Sequence, residues 1–548
     1  MKKFVRVLIR VLVILVCIVF IGLLLFNHFK AEKQEISIGM KDGVMLNTKL
    51  FIPKGKGSFP TVLVRTPYNT YADEWMGQAF NIFRIAVVLQ DVRGKYKSEG
   101  DFYPFINERE DGLQTLRWIR SQKWSDGTVA GWGGSYVGYT QWAISDSLDF
   151  LTLLLTGARL YDFTYPDSLF SLQTAFVWGF QNASPSLNNL NEESIKESAM
   201  ILPLSSADDS TVKDINFIND WILHEKYDRY WEQMDFRGKT GAPILSMAGW
   251  YDIFLKTQIA DFQALEAKGN NSGRLIIGPW AHGPLGEPND YGGVDKTGDP
   301  KMIFKYVRNH LKGKKDKLKA PMKDSRYNFF IMERNEYVGS KVWPPEETTI
   351  TPYYIGPDGY LSEEEYRENG SMKYTYSPSD PNPSHGGTTL GKGVGPSRQN
   401  DNINRKDQLV FETEINDEPL ILLGPVSATL WLTSSVPCTN FIVGLQDKFP
   451  DGKLINIQEG GAKVNADNKN PGKFEISVWA TGYQLNPGHK LKVFISSSWF
   501  PRFNRSLNTC DPVFTATEFK DAVQTVYYGK DTPSSINIPA YTISEGNQ

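Results

Sequence analysis

The stretch "GTVAGWGGSYVGYTQWAIS", residues 127–145, decides the fold. It reads as a strand, a tight turn and a helix, with Ser135 at the junction. Glycines flank the serine because side chains would clash in so sharp a bend. A strand–serine–helix turn lifts a hydroxyl above a sheet edge, the setting of a nucleophile elbow. The commoner G-x-S-x-G spacing is not met, since the last glycine, Gly138, falls one place late. On the motif alone, a reactive serine and a plain glycine-rich turn are equally good readings.

Working outward, "TVLVRTPY" (61–68) and "FRIAVVLQDVRG" (83–94) each hold a short continuous apolar run. Such runs mark strands covered on both faces, as in a parallel sheet. "NEREDGLQTLRWIRSQKW" (107–124) puts Leu113, Leu116 and Ile119 at helical spacing. "ISIGMKDGVMLNTKLFIP" (36–53) alternates around Lys41-Asp42-Gly43 and predicts a hairpin. Downstream, "PILSMAGWYDIF" (243–254) and "RLIIGPWAHGP" (274–284) supply two more apolar strands with polar tips. Strands alternating with helices predict an open α/β sheet. Between them the pattern turns irregular, aromatic and helical, with no buried-strand run. From about Thr349 on, "SATLWLTSS", "TNFIVGLQDKF", "KFEISVWATGY" and "HKLKVFISSSWF" alternate between turn-rich segments. That predicts a separate β-sandwich. The expected division is an N-terminal membrane anchor or signal peptide (1–30), a first α/β part (36–146), a helical cap (147–238), a second α/β part (239–348) and the sandwich (349–548).

Composition is that of an ordinary globular protein: 548 residues, 41% hydrophobic, 22% charged, net charge −3. No basic stripe is long enough to track phosphates, so nucleic acid is not an expected partner. "MKKFVRVLIR" precedes the uncharged run Val11–Phe26. A basic leader before a long apolar run is a signal peptide or an uncleaved anchor. The absence of a good small-x-small site favours the anchor, with everything after it outside the cytoplasm; cleavage would make the protein secreted. Of three cysteines, Cys17 lies in that run. Cys438 and Cys510 suit either a disulfide in an exported domain or two buried thiols. No Cys/His cluster has zinc spacing, so neither metal nor cofactor is expected.

A serine nucleophile needs a base, and the base an orienting acid. Of six histidines, His28 belongs to the membrane edge, His224 to the cap, and His385 and His489 to the sandwich. His310, in "VRNHLKGKK", reads as a solvated surface residue. His282 directly follows a buried strand, and Asp252 ends the strand before it. The order Ser135, Asp252, His282, each at a strand end, is the triad order of α/β-hydrolases. Asp91 and Arg93 also end a strand; Arg93 cannot serve as a base, and the two are expected to pair and brace the loop.

"LQDVRGKYKSEGDF", "DGLQTLRWIRSQKWSDGTVAGWGGSYVG", "GWYDIF", "IIGPWAHG" and "SSSWFPRFNRSLNT" together resemble the cocaine-esterase / X-Pro dipeptidyl-peptidase family of serine hydrolases, from about residue 36 to the C-terminus. That family includes α-amino-acid ester hydrolases and glutaryl-cephalosporin acylases. Its G-x-S-Y-x-G elbow accounts for the late glycine. The resemblance implies an α/β-hydrolase domain interrupted by a helical cap, then a jelly roll. It implies Ser135 as nucleophile, Asp252 as acid, His282 as base, and an oxyanion hole of the Tyr68 hydroxyl in "RTPY" and the Tyr136 backbone N–H. A packed aromatic is the plainer reading of Tyr68. The expected substrate is a small-molecule ester or amide: carboxylic esters first, β-lactam acylase, α-amino-acid ester or X-Pro dipeptidyl-peptidase activity second. Relatives that hold a substrate ammonium place acids after the catalytic aspartate, where this chain has Ile253-Phe254-Leu255; the cap could supply Asp162 or Asp167 instead. Aromatics Phe163, Tyr165, Phe170, Phe176 and Trp178 suit an apolar acyl pocket or the cap's own core. A homodimer is left open. A different class also stands: an inert surface protein whose jelly roll binds glycan or peptide.

Overall fold

The computed structural model describes residues 32–183, 192–209, 215–283, 300–314, 325–391, 393–402 and 404–543. The N-terminal apolar run lies outside the described residues. Among the described residues no helix is long and apolar enough to cross a membrane. The chain divides into two compact units.

The first unit draws on the chain up to Leu153 and on two short later segments beginning at Lys239 and Ile303. It carries β1 (Glu32–Gly39), β2 (Met45–Ile52), β3 (Phe59–Thr66), α1 (Glu74–Asn81), β4 (Ala86–Asp91), α2 (Glu108–Ser121), β5 (Ser125–Gly134), α3 (Ser135–Trp142) and β6 (Phe150–Leu154). The strands lie in the order β1-β2-β4-β3-β5-β6. β1 and β2 form the expected antiparallel hairpin, with Gly43 at φ 91° in its turn. β3 runs parallel to both β4 and β5. Every residue of β3 and β4 is buried, as continuous apolar runs require when both faces are covered. The strand β6 corrects the expectation that no buried strand follows Ser147. Its five residues, "FLTLL", are too few and too interrupted by Thr152 to stand out. The helix Pro300–Leu311 packs Phe304 on Phe80 at 4.3 Å. The same helix stacks His310 on Phe150 at 4.1 Å. His310 is therefore half-buried rather than a solvated surface group, and burial lowers its pKa.

The second unit begins with the helical segment from Leu154 to Gly238, which contains α4 (Leu172–Ala183), α5 (Glu192–Ala199) and α6 (Asn216–Leu223). Phe170 and Phe176 are buried there, Tyr165 packs its ring at a tilt against Phe170, and Trp178 stacks on Trp221 at 5.9 Å. These aromatics form the cap's own core. Strands β7 (Ile244–Tyr251), β8 (Gly273–Ala281), β9 (Tyr327–Ile331) and β10 (Glu336–Ser340) lie side by side in that order, with α7 (Leu255–Ala267) between β7 and β8. β8 and β9 are parallel, β9 and β10 antiparallel.

The all-β part follows. Its first strands are β11 (Thr348–Ile355), β12 (Leu361–Ser362), β13 (Gly370–Tyr376), β14 (Gln408–Glu412), β15 (Leu420–Ser434) and β16 (Cys438–Lys448). Then come β17 (Leu454–Asn465), β18 (Gly472–Leu485), β19 (Lys490–Ser496), β20 (Ala522–Tyr528) and β21 (Ser535–Tyr541). One sheet runs β12-β11-β21-β15-β20-β13 with β18 beside β15; the other runs β14-β19-β16-β17. Along β15, Ala428, Leu430 and Leu432 are buried while Ser427, Thr429 and Trp431 are half-buried, the alternation expected of a one-faced strand. Cys438 and Cys510 form a disulfide, which settles the alternative between a bridge and two thiols.

Candidate active site

In the first unit the local sequence around Ser135 folds as a strand-to-helix elbow. Ser135 sits between β5 and α3 at φ 53°, a left-handed conformation uncommon for a residue with a side chain. A Cβ on Gly133 would stand 2.2 Å from the Val137 carbonyl oxygen, so only glycine lets strand and helix approach this closely. Tyr136 follows and is buried. Its hydroxyl donates to Glu108 Oε1 at 2.7 Å and accepts from the Phe105 N–H at 2.9 Å. Tyr68 lies just beyond the end of β3, 40% exposed, so it is not a packed core aromatic. Its ring meets that of Tyr136 edge-on at 6.4 Å.

The loop carrying Tyr68 is braced from behind. Tyr68 N–H donates to Thr66 Oγ1, and Thr70 N–H donates to Asp91 Oδ1 at 3.1 Å. Asp91 Oδ2 accepts from Asn47 at 3.0 Å. Arg93 does not pair with Asp91 as expected; its guanidinium reaches Asp111 at 2.6 Å and Asp42 at 2.7 Å. The Asp91 oxygens are already engaged by the Thr70 N–H and Asn47, so Arg93 pairs with acids brought in by other elements. Both residues remain bracing groups.

In the second unit β7 ends at Tyr251 and β8 at Ala281, which places Asp252 and His282 each one residue past a strand. A Cβ on Gly249 would fall 2.2 Å from the Trp280 carbonyl oxygen, so this glycine allows the two strand ends their close approach. Asp252 is fully buried. Its Oδ2 meets His282 Nδ1 at 2.6 Å, and its Oδ1 accepts the Phe254 N–H at 2.8 Å. The Nδ1–H bond fixes the imidazole tautomer, leaving Nε2 as the basic nitrogen. The Phe254 ring lies against His282 at 5.6 Å and is backed by Phe163 at 4.7 Å.

The cap acids singled out in the sequence are already paired. Asp162 meets Arg237 at 2.5 Å, and Asp167 forms an ion pair with Lys256. The same Arg237 also reaches Asp261 at 2.5 Å, and burial pushes the Asp261 carboxyl up to about 6. Among the described residues no group of three His, Cys, Asp or Glu side chains could hold a metal ion.

Two residues around the site escaped the sequence reading: Glu108 and Arg65. Arg65 interrupts the apolar run of β3, which was the available signal. Its guanidinium is wholly buried and pairs with Glu108 Oε2 at 2.9 Å. Burial raises the Glu108 pKa, against the opposing pull of Arg65.

Comparison with known proteins follows the same outline. Residues 42–284 match the family model of X-Pro dipeptidyl-peptidase (S15 family), and residues 319–537 that of the X-Pro dipeptidyl-peptidase C-terminal non-catalytic domain. Cocaine esterase from Rhodococcus sp. (strain MB1 Bresler) is 30% identical over 569 residues, covering 92% of this chain and 98% of that one. Among solved structures, an aminopeptidase from a marine sediment archaeon, Thaumarchaeota archaeon, matches with a TM-score of 0.81 at 22% identity, covering 94% of this chain and 97% of that one. An α-amino acid ester hydrolase matches at 0.72 and 21% identity, covering 93% and 97%. Both structures share the expected fold, an α/β-hydrolase domain followed by an all-β domain.

Proposed function

Because the chain belongs to the cocaine-esterase / X-Pro dipeptidyl-peptidase family and is a serine hydrolase, we propose that Ser135, His282 and Asp252 are its triad and that carboxylic esters are its first substrates. The observation that carries this reading is the 2.6 Å bond from His282 Nδ1 to the buried Asp252. An imidazole so held has one use left for its second nitrogen. His282 Nε2 takes the proton from Ser135 Oγ as that oxygen attacks the substrate carbonyl. The Tyr136 N–H and the Tyr68 hydroxyl donate to the oxyanion that forms, and Asp252 stabilises the imidazolium. The imidazolium then gives its proton to the leaving alcohol, and water attacks the acyl-enzyme by the same route in reverse.

The preference for a neutral acyl group rests on the cap acids. Asp162 and Asp167 are neutralised by Arg237 and Lys256, and apolar residues follow Asp252. An ammonium would have to displace an existing cation. Acylase and X-Pro dipeptidyl-peptidase chemistry is the second reading. The formed disulfide supports export, since such bonds persist in oxidising compartments. Together with the apolar leader it supports a membrane-tethered enzyme working outside the cytoplasm.

The test is labelling with a fluorophosphonate probe, followed by hydrolysis of p-nitrophenyl esters, X-Pro anilides and β-lactam amides. Ser135→Ala should abolish labelling and every activity. Full labelling of that variant would refute the nucleophile, and faster turnover of anilides than of esters would refute the substrate order.

A further inference from the structure

Beneath the elbow lies a buried polar cluster that the triad chemistry does not use. Glu108 starts α2, Arg65 lies on β3 three residues before Tyr68, and Tyr136 is the second residue of α3. All three residues are at most 4% exposed. Arg65 holds both ends of Glu108: Nη1 pairs with Oε2 at 2.9 Å and donates to the Glu108 carbonyl at 2.7 Å. Arg65 Nε donates to Gln90 Oε1 at 2.9 Å, an oxygen that also accepts from Thr115 Oγ1 at 3.0 Å. Thr140 Oγ1 on α3 donates to the Arg65 carbonyl at 3.1 Å, tying the nucleophile's helix to the strand that leads to Tyr68.

Tyr136 is the link between this cluster and the chemistry. Its backbone N–H is the proposed oxyanion donor, and its ring is a rigid lever from that backbone to the hydroxyl. The lever's far end is clamped by Glu108 and by the Phe105 N–H, and its face by the Phe105 ring, stacked at 4.5 Å. Its edge meets Tyr68, the other donor. Such a clamp matters here because Ser135, at φ 53°, sits where backbone conformations persist only when their surroundings over-determine them. We infer that Glu108 is a positioning residue of the oxyanion hole: through the Tyr136 hydroxyl it sets the direction of the Tyr136 N–H, and through Arg65 it couples that donor to Tyr68. A bond to a carboxylate is stronger and more directional than one to a neutral oxygen, and Arg65 keeps the negative charge from opposing the oxyanion.

The inference rests on the proposed triad, and the experiment separates the two. Tyr136→Phe should lower kcat by roughly tenfold to a hundredfold, the scale of a sub-ångström misplacement, with KM unchanged within about twofold. Affinity for a boronic acid that mimics the tetrahedral state should fall by the same factor, which a merely structural loss would not produce selectively. Adding Tyr68→Phe should cost less in the Tyr136→Phe background than alone, because the two donors are coupled. Glu108→Asp, which keeps the charge and shortens the reach, should reproduce the loss, whereas Glu108→Gln, which keeps an acceptor of the same reach but not the charge, should recover only part of the rate. A folded Tyr136→Phe enzyme with the parent's kcat and boronate affinity would overturn the inference. Should Tyr136→Phe fail to fold, a Glu108→Asp enzyme at full rate would overturn it equally. Labelling of Ser135→Ala by fluorophosphonate would instead sink the triad itself.

Discussion

The Cys438–Cys510 bridge makes a prediction whose size follows from the chain. Cys438 opens β16, and Cys510 lies in the segment after β19 that grips the cap. Several hydrogen bonds tie this segment, from Pro501 to Val513, to it. The Pro501 carbonyl accepts the Gln173 N–H at 3.0 Å, and Asn504 N–H donates to the Phe170 carbonyl at 2.9 Å. Arg505 Nη2 donates to the Met200 carbonyl at 2.7 Å, and Val513 N–H donates to Glu225 Oε1 at 2.7 Å. The disulfide therefore staples a strap that carries cap contacts. It closes a loop with a sequence separation of 72 residues, for which chain entropy predicts about 4 kcal/mol of stabilisation at 25 °C. Replacing both cysteines by serine should lower the unfolding free energy of the second unit by that amount, and its guanidinium midpoint with it, followed by the fluorescence of the buried cap tryptophans Trp221 and Trp231. Hydrogen exchange should quicken at Phe170–Gln173 and in the strap before it does in β16. An unchanged midpoint would refute the entropic argument. A lowered midpoint with no faster exchange at the strap would refute the claim that the bridge holds the cap.

Three further outcomes are expected. Tyr68→Phe should lower kcat a hundredfold or more at nearly constant KM, since one oxyanion donor is worth about 2.7–4 kcal/mol; steady-state ester hydrolysis checks it. Burial holds the His310 ring neutral on Phe150, so its folded pKa lies below the unfolded value of about 6.5. The unfolded chain then binds more protons below that pH, and stability should fall as pH drops through about 6.5. His310→Phe, which keeps the ring contact, should flatten this slope in unfolding experiments at pH 7.5 and 5.5. Lys256→Met unpairs Asp167 and should raise the ratio of α-amino-ester to neutral-ester kcat/KM about tenfold, the size of a modest charge interaction.

What the sequence disclosed and what it hid divide along range. The strand ends that carry Ser135, Asp252 and His282 were legible because each closes a local apolar run at a polar or glycine tip. The alternating strands of the β domain were legible for the same reason. His310 was misread because its sequence neighbours are basic, whereas its contact is Phe150, some 160 positions away along the chain. Arg93 was given the nearest acid in sequence and found Asp111 and Asp42 in space. Glu108 looked like one acid among several in "NERED", and nothing local says that it faces Arg65 and Tyr136. Pairing of Cys438 with Cys510 depends on how a long segment returns to β16, which no local pattern encodes.

The same contrast governs specificity. Acids in the cap suggest ammonium recognition when read alone, yet a carboxylate recruits a substrate cation only if its charge is still available. Asp167 is opposed by Lys256, which α7 projects from the strand end that also carries Asp252. Asp162 shares Arg237 with Asp261, a buried carboxyl that holds the guanidinium in place through its own 2.5 Å contact. Removing Arg237 from Asp162 would thus strand a second, fully buried acid, and the penalty for an uncompensated buried charge is several kcal/mol. A substrate ammonium at Asp162 would have to offset that cost. Of the two pairs, Lys256–Asp167 is therefore the one a cationic substrate could open. If the proposed substrate order holds, the preference for neutral acyl groups turns on a single lysine, four residues after Asp252.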